Sequence, residues 1–171
     1  VLLAGEETKS LRRALEYARK GVAAGERALG KKVFEEEAGN FWLMIETRPY
    51  MRALLALADL LWVTGDRDEA ISLYQEMLRL NPDDNQGVRY IIIQYFAEAN
   101  RDDLFEALLK EYGEDPTAAV AYSKALWLFR KEGAGPTADA ALDEALQSNP
   151  FVPQYLLGRR KLPPRMPDYY S

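Results

Sequence analysis

The chain has 171 residues, 48% hydrophobic and 29% charged, which is enough apolar material for one packed domain and too much for a disordered one. It holds no cysteine and no histidine, which excludes disulfides, thiolate nucleophiles, Cys/His zinc sites and imidazole acid–base chemistry. The net charge of -5 argues against a general nucleic-acid binder, and no apolar run reaches the roughly 20 residues of a membrane span, so a cytoplasmic location is expected.

From about Ser10 to Leu29 the apolar residues Leu11, Leu15, Ala18, Val22 and Leu29 recur at helical spacing, and Gly30 is placed to end the helix. The next stretch, VFEEEAGNFWLMIETRPY, carries Phe34, Phe41, Trp42, Leu43, Met44 and Ile45. Its apolar content predicts a second helix before Pro49 restarts the chain. Residues 1–50 together are expected to form an N-terminal cap on the remainder of the chain.

Pro82, Pro116 and Pro150 each come after Asn or Asp and lie 34 residues apart, which divides the chain into units 51–84, 85–118 and 119–152. Other places recur in the same frame. The eighth holds Ala58, Ile92 and Leu126, the eleventh Leu61, Tyr95 and Phe129, the twentieth Ala70, Leu104 and Ala138, the twenty-fourth Tyr74, Leu108 and Leu142. Gly65, Asn100 and Gly133 fall at the middle of each unit, where a left-handed residue ends a helix. Each unit therefore reads as helix, tight turn, helix. Pro82 stops one unit, and Asp83 or Asp84 can cap the next helix, with Val88–Phe96 as its body. After residue 153 a short helix stalls at Gly158, and Pro163, Pro164 and Pro167 make 153–171 a short capping helix with an extended tail, placed along the last hairpin through Leu162, Met166, Tyr169 and Tyr170 or serving as a linker.

These units resemble the tetratricopeptide repeat, whose helical hairpin favours small residues at places eight and twenty, a bulky one at twenty-four and Pro at thirty-two. The unit MRALLALADLLWVTGDRDEAISLYQEMLRLNPDD fits best, whereas Ile92 and Leu104 depart from the pattern in the second. The resemblance implies an all-α, right-handed helical-hairpin solenoid of about three repeats, forming one domain with its N-terminal helical cap. The stretches ETRPYMRALLALADLLW, NQGVRY, YSKALW and NPFVPQYLLGRRKLPP are also similar to the repeat region of the suppressor of tumorigenicity seven family, over roughly residues 40–165. That resemblance implies an interaction protein and supplies no catalytic residues.

In such a hairpin array the first helix of each unit lines a concave groove, which singles out Arg52, Asp59, Trp62, Gln86, Arg89, Ile93, Phe96, Trp127 and Arg130 as candidate partner-binding residues. Rings supply contact area and Arg supplies forked hydrogen bonds for a peptide or partner helix. The competing expectation is that Trp62, Phe96 and Trp127 are covered by the chain's own cap or tail. Arg48, Arg52, Gln86 and Arg89 form a cluster for an acidic segment, or else pair internally with Glu46, Asp83 or Asp84. Of the positions where some repeat proteins grip a terminal carboxylate, only Lys124 suits the task.

Chemistry is sparse. Glu35–Glu37 flank one predicted helix and Asp66, Asp68 and Glu69 begin another, as the helix dipole favours. Asp83-Asp84-Asn85 lacks the spacing of a calcium loop, and no glycine stretch has a phosphate-loop pattern. No enzyme activity, metal or cofactor is expected. The sequence supports a scaffold that binds a protein segment in its groove, the alternative being a regulatory or sensor subunit that takes a small ligand or signalling peptide. Oligomeric state is not legible.

Overall fold

In the computed structural model, which describes residues 11–113 and 115–162, packing begins with small residues on helix α1 (Leu11–Glu36). Ala14, Ala18 and Val22 are buried where α1 lies on helix α2 (Arg48–Thr64), and at Gly25 a Cβ would stand 2.9 Å from the Tyr50 ring. The approach is thus closer than any side-chain-bearing residue at 25 would permit. Gly30, at φ 72 and ψ 159, interrupts α1 where the sequence placed its end, but the helical run resumes to Glu36.

Beyond Glu36 the expected second N-terminal helix does not continue. Residues 37–47 run as successive turns, with Gly39 at φ 99. A helix could face the core with only part of the run Phe41–Ile45. The turns instead send Phe41 inward at 0% exposure and leave Leu43 and Ile45 in solvent. Phe41 joins Phe34 and Tyr50 in an aromatic cluster with centroids 5.1 to 6.1 Å apart. The segment is also held by hydrogen bonds. Gly39 and Phe41 both donate backbone N–H groups to the Leu80 carbonyl at 3.1 Å, satisfying a helix-end acceptor, and the buried Thr47 hydroxyl donates to the Phe41 and Met44 carbonyls.

Helix α2 ends at Gly65, φ 97, whose N–H reaches the Leu61 carbonyl at 3.0 Å, with the Asp66 N–H on the same oxygen at 2.9 Å. The chain reverses into helix α3 (Arg67–Leu80), which opens with Asp68 and Glu69 near its positive end. Between α2 and α3 lie Leu54, Ala58 and Leu61 on one side and Ala70, Tyr74 and Met77 on the other, each at most 1% exposed. Ala58 and Ala70 are the small residues of places eight and twenty. Each large side chain removed from water in this seam contributes about 1.5–3 kcal/mol. Arg19 on α1 clasps Glu69 on α3 through paired contacts of 2.6 and 2.7 Å.

Beyond Asn81-Pro82 the chain enters helix α4 (Val88–Glu98). Asp84 is the cap. It sits at φ 47, 4% exposed, with its carboxylate accepting from Val88 N at 2.7 Å and Arg89 N at 2.9 Å.

The described residues divide into two compact units, the first ending at Ala99 and the second beginning at Asn100, inside the expected second repeat. The second unit contains α5 (Asp102–Tyr112), α6 (Ala118–Glu132), α7 (Pro136–Ser148) and α8 (Val152–Leu156). No strand occurs among the described residues. Helices α6 and α7 pack closely through Ala125, Ala138, Ala141 and Ala145, and Tyr122 and Ser148 tie their ends by hydrogen bonds to the Asn149 and Pro116 carbonyls. Asn100, φ 55, and Gly133, φ 78, hold the positive φ expected at the middle of their units.

The frame is less faithful in the third hairpin. Leu126, Phe129 and Leu142, at places expected to be internal, are 52%, 54% and 45% exposed. In the first hairpin these places, Ala58, Leu61 and Tyr74, are buried in the α2–α3 seam, with Tyr95 of the succeeding helix 5.8 Å from Tyr74. Among the described residues the helix after α7 is α8, five residues long, with Gly158 at φ 68 just beyond it. The expected contact of the tail with this hairpin falls at residues 163–171, outside the described residues.

Candidate partner-binding surface

The nine candidate residues separate by burial and by unit. In the first unit, Trp62 is 8% exposed, Ile93 1% and Phe96 2%. The Trp62 ring is stacked on Tyr95 at 3.7 Å and 9°, and the Arg67 guanidinium stands 4.8 Å from it, so both its faces have intramolecular neighbours. These apolar side chains, expected to face a partner, are buried here, Trp62 against Tyr95 of α4.

Asp59 is half-buried on α2 and accepts the Tyr74 hydroxyl at 2.5 Å. Burial raises the pKa of Asp59 while the Tyr74 hydrogen bond opposes the rise, and the phenol of Tyr74 is pushed far up by burial and by the Asp59 contact. The carboxylate is therefore a strut across the hairpin rather than an open ligand.

Arg89 is held internally. It meets Asp84 Oδ2 at 3.0 Å and Tyr90 Oη at 2.5 Å, with its guanidinium 4.3 Å from the Tyr90 ring centre, which matches the intramolecular alternative for Asp84. Arg48 similarly donates to the Trp42 carbonyl at 2.8 Å and lies over the Trp42 ring. Two members of the cluster differ. Arg52 is exposed and makes no ion pair or hydrogen bond with any described residue, and Gln86 has a buried Oε1 without a donor.

In the second unit Trp127 is 7% exposed, stacked on Phe105 at 5.5 Å and 18°, with Lys131 Nζ 4.6 Å from its ring centre. Its indole N–H is buried without a hydrogen-bond partner, and its ring lines an open cleft of about 500 Å³ with Asp103, Glu106, Leu109 and Lys110. Arg130 is exposed and donates to the Asn100 side-chain oxygen. Sequence reasoning placed Tyr95 at a recurring core position without pairing it with Trp62, and overlooked Phe105, the ring stacked on Trp127. Their positions at the core-facing side of α4 and α5 are the signal that could have found them.

No group of three or more acidic side chains among the described residues is placed to hold a metal ion, and no helix there is long and apolar enough to cross a membrane. The tetratricopeptide repeat family model matches residues 51–93, the span of α2, α3 and the first half of α4. No curated protein and no solved structure matches the chain, and nothing in these comparisons links it to the suppressor of tumorigenicity seven family. Residues 51–93, with their close-packed hairpin, left-handed Gly65 turn and Asn-Pro joint, carry a tetratricopeptide repeat.

Proposed function

We propose that the chain is a protein–protein interaction scaffold, which is the general work of tetratricopeptide repeats, and that its first unit receives an acidic segment of a partner protein at Arg52. The observation that carries this reading is the state of Arg52, an exposed cation unpaired among the described residues, in a chain of net charge -5. Arg89, fixed by Asp84 and Tyr90, supplies a preset positive charge on the next helix. The rings of Trp62 and Phe96 act behind this surface by stiffening the helices that carry it.

Quantitative affinity capture from the native extract with wild-type, Arg52→Lys and Arg52→Glu chains tests the reading, circular dichroism showing that all three are folded. A partner retained by wild type and Lys but lost with Glu is the expected result. An unchanged set of captured proteins with Arg52→Glu removes this residue from the binding surface.

A further inference from the structure

The first and third hairpins differ in what lies on their outer side. In the first, Ala58, Leu61 and Tyr74 are all 0% exposed, and α4 comes next with Tyr95 set 5.8 Å from Tyr74 and stacked on Trp62. In the third, the same places hold Leu126, Phe129 and Leu142, with Leu146 one turn further along α7 and 36% exposed. Leu126 and Phe129 are three apart on α6, and Leu142 and Leu146 are four apart on α7, so each pair shares one helix face. Where α4 has eleven residues, α8 has five.

Charge identifies the kind of helix that would fit. Asp139 and Asp143 precede Leu142 and Leu146 by three positions each, and so border the apolar stripe of α7. Both are exposed and neither forms an ion pair with a described residue, whereas their neighbour Glu144 is paired with Lys124 at 3.1 Å. The α7 edge of this apolar strip, with two carboxylates unpaired among the described residues, is complementary to a helix whose apolar stripe is edged on that side by Lys or Arg.

We propose that the outer face of α6 and α7 docks an amphipathic, basic-edged helix of a partner protein, laid where the first hairpin carries α4. This surface is separate from Arg52 and does not depend on the function proposed for it.

The test uses the full chain and a fluorescein-labelled helical peptide of about 18 residues with leucines at i, i+3, i+4 and i+7 and a lysine border, measured by anisotropy. Comparison peptides keep the leucine stripe with a glutamate border, or scramble the lysine peptide. Saturable binding of the lysine peptide alone is expected, weakened at least about tenfold by Leu126→Asp with Leu142→Asp, since each buried leucine is worth roughly that factor. Asp139→Lys with Asp143→Lys should shift the preference to the glutamate peptide, and Arg52→Glu should leave affinity unchanged. These are surface positions, and thermal melts of each variant confirm folding. Equal binding of the scrambled peptide, or none of the lysine peptide, overturns the proposal. So does a dimer in sedimentation that Leu126→Asp dissociates, which assigns the face to a second copy, or binding that emerges only with Met166→Ser, Tyr169→Ser and Tyr170→Ser, which assigns it to the chain's own tail.

Discussion

Tyr74 and Asp59, fifteen residues apart on α3 and α2, meet through a hydroxyl-to-carboxylate hydrogen bond of 2.5 Å that crosses the first hairpin. Tyr74→Phe keeps the ring and removes the donor, leaving a half-buried carboxylate unsatisfied. A loss of about 1–3 kcal/mol in urea unfolding is expected.

The same carboxylate gives a pH signature. Burial raises the Asp59 pKa in the folded state, so the folded chain holds this proton more tightly than the unfolded one. Its contribution to stability therefore declines as pH rises through and above the usual carboxylate range. Glu69 and Asp103 are lowered by Arg19 and Arg101 and act in the opposite sense. The difference between wild type and Asp59→Asn isolates the effect. Melting temperatures across that range should show wild type losing stability relative to Asp59→Asn as pH increases; a constant difference would mean that Asp59 titrates alike in both states.

Asp84 satisfies the first two amides of α4 and the Arg89 guanidinium from a buried position. Asp84→Ala removes all three contacts and places at φ 47 a residue without the polar side chain that helps Asp and Asn adopt that conformation. A cost of about 2–4 kcal/mol is expected, and a smaller one for Asp84→Asn, which keeps an acceptor and tolerates that conformation. Chemical denaturation of the two variants checks the order.

Trp62 and Arg52 should separate stability from binding. Trp62→Ala removes the ring stacked on Tyr95 and should destabilise by about 3–5 kcal/mol, whereas Arg52→Ala should change stability by less than about 0.5 kcal/mol. Equal, small effects in calorimetry would show that Trp62 is not part of the core.

Gly25 measures how closely α1 approaches α2. A leucine side chain must begin 2.9 Å from the Tyr50 ring and 3.4 Å from its Cα, too near for a rotamer change alone to relieve. Gly25→Leu should cost about 1–3 kcal/mol in spite of the better helix propensity of leucine, measured by thermal unfolding.

The repeat was legible because its signals are local. Pro82 ends a helix by lacking an N–H, Gly65 ends one by accepting positive φ, and Ala58 and Ala70 permit a close crossing whatever surrounds them. Asp84 was one of two aspartates placed to cap α4, and its carboxylate does so. The segment after Gly30 was misread for an equally physical reason. Apolar content at Phe41–Ile45 does not select a backbone; two hydrogen bonds to the Leu80 carbonyl and the Thr47 contacts hold that segment in turns.

The candidate surface depended on a different kind of information. Whether Trp62, Phe96 and Trp127 meet water or another side chain is a matter of which residues arrive opposite them, and Tyr95 and Phe105 come from other helices. The exposure of Leu126, Phe129 and Leu142 is likewise set by their neighbourhood and not by their own identity. Helix limits and hairpin spacing belong to runs of a few residues, where propensity and sterics act directly. Burial is a sum over the whole packed neighbourhood, and it separated the core rings from the exposed Arg52.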